Sequence, residues 1–439
     1  MKLAVAVALI AAFAVPARCQ NSTPSNPSAD APATAPAVLL GQSSAARLLG
    51  EQPPNYMAGG IAISQMFSDN VELATANQIS DLSYDIMPHF TISSSTTRLT
   101  YSAGVAAGFL VNRTLSDRNQ ASQSASLDIS GRPSQFVTLR VSDRFMNTTG
   151  LWSDAGAANN SAGPGLGELQ QPNTSLLTYG KFRANSVLAE LTAQLAAGSF
   201  AGVRATQSYL WFPSGASDPV LGPLYGGNSY SAEAFFNRRF TDRNWGGIAV
   251  RAQRFDVNRL VGATDAASLL FLYAVNIRPN TSVSFFGGPE LSVTSVPQGL
   301  PVPPPAFQRR LWSPVAGAVF SWQGRRTSAM ASFDRQISNG GGLFAAVTLS
   351  SAEGQILRQV GRRFEIGPGF AFAQNVPIVT SPTIRSYSGQ VQAAYHISNY
   401  SLSGGYARDN RSAPDINSSA SANRVWVAFS LDFVRPLGR

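Results

Sequence analysis

Among 439 residues there are one cysteine and two histidines, and lysine occurs only at Lys2 and Lys181. With Cys19 alone, the chain cannot close an intramolecular disulfide or build a cysteine-based metal site. Two imidazoles offer little for metal ligation, so neither a metal nor a cofactor is expected. Charged residues make up 13% of the chain, against about 25% in ordinary soluble domains. The net charge of +9 is almost all arginine, scattered singly or in pairs. Nucleic-acid binding needs clustering on one face, which excludes that partner. Beyond the first residues the longest apolar run is Leu269 to Val275, far below the ~20 residues of a membrane-spanning helix. Gly340-Gly341-Gly342 is not followed by Gly-Lys-Ser/Thr, so it is a tight turn and not a phosphate loop.

What is present begins with a leader. Lys2 precedes Leu3 to Val15, an unbroken apolar stretch, and then Pro16-Ala17-Arg18-Cys19-Gln20. A basic start, a short apolar stretch and small residues beyond it predict a secretory signal peptide over 1–19. Cleavage after Ala17 or after Cys19 both fit. Pro16-Ala17-Arg18 lacks the usual lipoprotein pattern before the cysteine. From 20 to 55 the chain is rich in Pro, Ala, Ser and Thr, with Pro24, Pro27, Pro32, Pro36, Pro53 and Pro54. Such a segment buries too little apolar surface to offset chain entropy and reads as a periplasmic linker. A short helix over Val38 to Glu51 that docks or plugs is the alternative.

From Tyr56 to residue 439 the dominant period is two. Val187, Ala189, Leu191, Ala193 and Leu195 alternate with polar residues, as do Leu82, Tyr84, Ile86, Phe90 and Ile92. Val137, Leu139 and Val141 repeat the pattern, and so do Val391, Ala393, Tyr395 and Ile397. In the last segment Val425, Val427, Phe429, Leu431 and Phe433 share one side while Trp426, Ala428, Ser430 and Asp432 share the other. These are strands with one apolar and one polar face. Short turns such as Arg132-Pro133-Ser134 and Gly198-Ser199 alternate with longer Gly-, Asn-, Ser- and Pro-rich connections at 147–175, 213–228, 256–266, 294–311, 375–386 and 409–422. Two length classes in alternation predict an all-β fold, a transmembrane antiparallel up-and-down β-barrel with short periplasmic turns and longer extracellular loops. The count is about 18 strands, within 16–18. A soluble sandwich also alternates along its strands, but without two classes of connection. Trp211, Trp245, Trp312, Trp322 and Trp426 fall near expected strand ends, where amphipathic rings favour the headgroup zone.

On these features, residues 56–439 resemble the Gram-negative outer-membrane β-barrels of the general porin type. Members usually finish with an alternating strand ending in Phe; here Val425 to Phe433 is followed by Val434-Arg435-Pro436-Leu437-Gly438-Arg439. The resemblance implies export to the outer membrane and contact with its lipid and lipopolysaccharide. It also implies insertion by the barrel-assembly machinery, and it leaves a homotrimer open.

A barrel of this strand number leaves an aqueous channel. The polar faces offer Asp85, Arg98, Asp128, Arg140, Arg144, Glu190, Arg204, Glu233, Arg251 and Asp334 as lining residues. Five acidic and five basic groups predict a weakly selective passage for small polar solutes, and the arginine excess a mild anion preference. By the same resemblance the loop 147–175 folds inward, setting Asp154 and Glu168 against Arg140, Arg144 and Arg204; its many Gly and Asn suit a mobile external loop equally well. A closed barrel serving as scaffold or adhesin is the second function class. An outer-membrane hydrolase is the third, resting on His89 or His396 with Ser83 and Asp85 on the face of His89. The chain is not expected to be an enzyme.

Overall fold

The computed structural model describes residues 55–116, 119–151, 179–213, 216–218, 222–257, 262–295, 308–340, 344–378, 382–397 and 399–437. The leader and nearly all of the linker, together with Trp152, Asp154 and Glu168, lie outside the described residues. The strands run β1 (Tyr56–Ser68), β2 (Asp81–Ser95), β3 (Leu99–Asn112), β4 (Gln120–Ser134), β5 (Val137–Leu151), β6 (Tyr179–Ala196) and β7 (Ser199–Trp211). A two-residue hairpin follows, β8 (Ser217–Asp218) with β9 (Gly222–Pro223). Next come β10 (Gly227–Arg239), β11 (Asn244–Val257), β12 (Gly262–Arg278), β13 (Thr281–Ser295) and β14 (Gln308–Gln323). The chain closes with β15 (Thr327–Gly340), β16 (Phe344–Val360), β17 (Phe364–Pro377), β18 (Ile384–Ile397), β19 (Tyr400–Ala413) and β20 (Ser418–Pro436).

Apart from the small hairpin these strands form one 18-stranded antiparallel sheet. It closes where β1 meets β20, with Tyr56 opposite Pro436 and Ser68 opposite Arg424. No second sheet packs on this one among the described residues, so the sandwich alternative is gone. Val434, Arg435 and Pro436, the residues beyond Phe433, continue the ladder opposite Ala58, Met57 and Tyr56. The tail past Phe433 is therefore part of the wall.

The connections sort onto two rims. One rim carries the short turns, such as 135–136, 197–198 and 279–280, together with both ends of the barrel chain. In the turn between β6 and β7, Gly198 has φ +79°, a conformation that costs glycine alone little. The other rim carries the longer loops, but several are shorter than the sequence predicts. The connection expected over 256–266 spans only 258–261, and that over 409–422 only 414–417. The small and polar residues at these places, Gly262 to Asp265 and Ser418 to Asn423, stay in the ladder. The strands, 13 to 19 residues long, exceed the ~9–11 needed to cross a bilayer, so their outer ends need no apolar face.

Facing direction follows the period of two. Phe109, Phe271 and Val250 point outward and are 68%, 58% and 57% exposed. Each such side chain left in water forgoes roughly 1.5–3 kcal/mol of burial, and dozens line the outer surface. Only hydrocarbon around the barrel recovers that term. Trp211 and Trp312 stand on the outer face near the loop rim and Trp322 near the turn rim, as a girdle requires. Trp245 and Trp426 do not. Trp245 turns inward and packs 5.4 Å from the Phe200 ring with Arg239 over it at 5.8 Å. Trp426 lies mid-strand over Gly405, where an added Cβ would meet the indole at 2.4 Å. Both rings take lumen space that a neighbouring strand leaves open.

At the closing seam a similar vacancy serves a hydrogen bond. His89 on β2 and Asp432 on β20 both stand opposite Gly60 of β1. With no side chain between them, His89 Nε2 and Asp432 Oδ1 meet at 2.7 Å. A Cβ on Gly60 would lie 2.7 Å from each of these atoms and 2.4 Å from the Leu431 carbonyl. Gly60→Val is expected to break the bond and destabilise the seam by about 1–3 kcal/mol. The measurement is the temperature at which the heat-modifiable band on SDS gels converts; Gly389→Ala, with open space around it, is the silent control.

Candidate functional site

The lumen wall carries the candidate site. On five adjacent strands the register sets Arg140 opposite Glu190, Glu190 opposite Arg204, Arg204 opposite Glu233, and Glu233 opposite Arg251. All five face inward, because residues directly opposite across antiparallel strands share a face with Cβ atoms ~4.5–5.5 Å apart. The row continues through Ser268 to Glu290. Charge thus alternates along a band of the wall.

The side chains bond along this row. Arg204 Nε donates to Glu190 Oε2 at 2.8 Å and Arg204 Nη1 stands 4.0 Å from Glu233 Oε1. Arg251 Nε donates to Glu233 Oε2 at 2.8 Å. Arg140 reaches Asp128, one strand further, with Nε at 3.0 Å and Nη2 at 2.5 Å. Each guanidinium is held by a carboxylate, so no arginine of the row presents a whole positive charge to the lumen.

The remaining predicted lining residues divide. Arg144, Asp85 and Asp334 sit on the inward faces of β5, β2 and β15. Arg98 does not line the wall: it stands exposed in the 96–98 turn, where its carbonyl accepts the Arg132 N–H at 2.7 Å. Assigning it to a strand face continued the alternation one residue past the end of the ladder.

Two segments fill part of the lumen from the loop rim, and neither was expected. The first is the outer end of the β15–β16 hairpin. β14 and β15 pair only from Ala316 opposite Arg335 to Gln323 opposite Ser328. Beyond that point β15 leaves the wall. Gln336 Oε1 accepts from Arg251 Nη1 at 3.0 Å and Gln336 Nε2 donates to Asp334 Oδ2 at 2.8 Å. The Ile337 N–H donates to Glu290 Oε2 at 3.0 Å, and that carboxylate is 1% exposed. Measured along a regular wall, β11 and β15 stand about 19 Å apart at ~4.8 Å per strand, far beyond the reach of Arg251 and Gln336. The end of β15 must lie inside the barrel. Ile337 there packs with Phe255, Ala346, Ile378 and Leu311. The one sequence sign was the tight turn expected at 339–342, the exception among the longer connections that the sequence predicts for that rim.

The second segment is the 69–80 connection, tucked against the inner face of β19 and β20. Asn70 Nδ2 donates to the carbonyls of Ala74 and Ser421 at 2.9 and 3.0 Å, and the Ala74 N–H returns to Asn70 Oδ1 at 3.0 Å. Leu73 is wholly buried with Ala420 and Ala422, and Arg411 Nη2 donates to its carbonyl at 3.3 Å. Nearby, Arg424 Nε donates to Asp409 Oδ2 at 2.5 Å. An asparagine that bonds both its own loop and β20 was not distinguishable in sequence from any other loop polar residue.

The catalytic grouping considered for His89 does not assemble. Its partner is Asp432, not Asp85, and Ser83 Oγ donates to the Met66 carbonyl at 3.4 Å. Ser430 Oγ donates to Asp432 Oδ2 at 2.6 Å, so that serine is tied to the carboxylate and not to the imidazole. His396 stands near the turn-rim end of β18. Among the described residues no three or more His, Cys, Asp or Glu side chains are grouped to hold a metal ion.

The closed sheet with an apolar outer face and a charged inner one defines a transmembrane antiparallel β-barrel. No protein-family model matches the chain, and no curated protein matches it in sequence. Among solved structures it is similar to the outer membrane protein OpdK from Pseudomonas aeruginosa, at 11% identity and a TM-score of 0.43, covering 86% of this chain and 99% of that one. It is similar to Acinetobacter baumannii OccAB4 at 9% identity and a TM-score of 0.44, covering 87% and 99%. The ferric citrate transporter FecA shows 7% identity and a TM-score of 0.43, covering 88% and 79%. At these values no residue correspondence is carried across.

The inward hairpin end yields a prediction. Glu290→Ala removes the acceptor of the buried Ile337 N–H, which costs about 1–3 kcal/mol locally. Hydrogen exchange read by mass spectrometry should accelerate over 336–347 while peptides from β1 and β20 stay protected.

Proposed function

We propose that the protein is an outer-membrane channel for passive diffusion of small polar solutes, with at most a mild anion preference. The observation that carries this reading is the alternating row Arg140, Glu190, Arg204, Glu233 and Arg251 on the inner wall. A wall of packed apolar side chains would signal a filled interior; a band of paired charges is stable where water reaches it. Pairing also argues for weak selectivity, since a ring of one sign is what discriminates ions. The signal peptide and linker of 1–55 are part of the proposal, placing the barrel in the outer membrane after export. Lipopolysaccharide contact, help from the barrel-assembly machinery and trimer formation are proposed on the same footing.

The non-conducting scaffold or adhesin keeps one observation in its favour: the 69–80 connection and the end of β15 both occupy lumen space. Planar-bilayer recording of the purified barrel separates the two readings. Discrete conductance steps with a permeability ratio for chloride over potassium near one are expected; a membrane that stays sealed at micromolar protein overturns the channel. Arg204→Glu sets three carboxylates side by side, with Glu190 and Glu233. The reversal potential in a salt gradient should then move towards cation preference, roughly two- to fivefold in permeability ratio. A reversal potential unchanged from wild type would place the row outside the conduction path.

A further inference from the structure

The outer face fixes where a bilayer lies on the wall. On β14 the lipid-facing apolar positions run from Trp322 to Trp312, and on β12 from Ile277 to Ala267. Each stretch matches the ~9–11 residues with which a strand crosses a bilayer. Arg310 and Asp265 follow at the loop end, and the two tryptophans mark the two headgroup zones. At the turn end the apolar band stops only at Phe240, Ile277, Trp322 and Val360, beside the turns themselves. Phe240 lies on this outer face, since a Cβ added to the outward Gly246 would meet its ring at 2.5 Å. The turns on this side therefore sit at headgroup level.

Four consecutive turns there, between β10 and β17, are rich in arginine. The β10–β11 turn carries Arg243 and the end of β12 Arg278; the β14–β15 turn carries Arg325 and Arg326, and the β16–β17 turn Arg362 and Arg363. All six are exposed, and none is held by a carboxylate among the described residues. The described acids of this arc are Asp242, tied to Arg239, and Glu365, whose register position faces the lumen. Neighbouring strands lace the turns together. The N–H groups of Asn276, Gln359 and His396 donate at 2.8 Å to the carbonyls of Arg243, Arg326 and Arg363. Consecutive turns are two strands apart, about 10 Å at ~4.8 Å per strand, close to the width of one phospholipid headgroup. Arg358 stands on the outer face between Ile356 and Val360, a place a guanidinium tolerates when its stem runs to the headgroup layer.

We infer that this arc is a binding surface for anionic phospholipid in the leaflet at the turn rim, with phosphatidylglycerol the simplest lipid of that class. Guanidinium forks pair with phosphate oxygens, and the acyl chains lie along Phe240, Ile277, Trp322 and Val360. A zwitterionic headgroup brings its own cation and gains less from the arc. The inference rests on the membrane placement proposed above, and on neither conduction nor ion preference.

The full chain reconstituted in phosphatidylcholine bilayers tests the surface. Spin-labelled phosphatidylglycerol is the probe and spin-labelled phosphatidylcholine the reference. The ratio of their motionally restricted fractions should favour phosphatidylglycerol roughly threefold at low salt. One basic residue near an anionic surface contributes about fivefold, and most lipid positions around the barrel lie off the arc. Molar salt should remove most of the preference, because exposed charges are screened. Arg325→Gln, Arg326→Gln, Arg362→Gln and Arg363→Gln together should do the same at low salt. Arg310→Gln with Arg385→Gln, two exposed outward arginines at the loop end, should leave the ratio near its wild-type value; heat-modifiable mobility confirms that each variant is folded. Equal association of the two lipids with the wild-type barrel overturns the surface. A preference that survives the fourfold change overturns it too, and its loss with the loop-end pair would place the lipid at the other rim. Retention on isolated peptidoglycan that needs the four arginines, without lipid preference, assigns them to the cell-wall polymer and also overturns it. A barrel that keeps the preference but never conducts sinks the channel alone.

Discussion

Everything in this molecule answers to one requirement: in hydrocarbon each backbone N–H and C=O must find a partner within the protein. A chain with no helix-length apolar run meets it only by pairing strands until the last returns to the first. The final strand therefore cannot stop at Phe433. Val434, Arg435 and Pro436 complete the ladder against the first residues of β1, and the bond from His89 to Asp432 across Gly60 ties β2 to β20 over the seam. The same requirement explains the odd place of Glu290. Once the Ile337 N–H leaves β14, some acceptor must replace the carbonyl it lost, and the buried carboxylate takes that place.

A wall made this way has no conventional core, so its two faces are free to specialise. Outside, large apolar side chains rely on lipid to recover their burial. Inside, neighbouring strands place opposite charges side by side at the spacing the ladder fixes, and cross-strand pairs of this kind contribute only about 0.2–1 kcal/mol each. Their effect on the field inside the barrel is larger than their effect on stability. Arg204, set between Glu190 and Glu233, has its field cancelled along the wall, so selectivity cannot be read from the count of arginines. The +9 of the whole chain says little about the field inside the barrel.

The barrel itself was legible because its signals are local. Alternation fixed which residues of β2, β5, β6, β18 and β20 face lipid, and the two classes of connection fixed the topology. The inward faces of Arg140, Arg204, Arg251, Asp128, Glu190 and Glu233 followed from the same parity. Their order along a row did not, because register depends on where each turn closes. Arg98 shows the limit at one residue's scale: the parity rule has no means of knowing where the strand ends. Trp245 and Trp426 show another, since an amphipathic ring near a strand end can face lipid headgroups or fill a gap over a glycine, and only the neighbouring strand decides. The bent hairpin end lay beyond reach altogether. Gln336-Ile337-Ser338 alternates like any wall strand, and what draws it inward is Arg251 and Glu290, on β11 and β13.

That bend carries the closing constraint into the lumen. A strand can leave the wall only where its neighbour tolerates being an edge, and Pro314 opposite Pro289 supplies such a place. The departing strand needs partners inside, and an extension of the charged row provides them: Glu290 accepts the Ile337 N–H and Arg251 donates to the Gln336 side chain. It also needs an apolar bed for the face that had looked at lipid, which Ile337 finds against Phe255 and Leu311. The polar row and the apolar bed thus meet at one point of the wall, on the same few residues of β15.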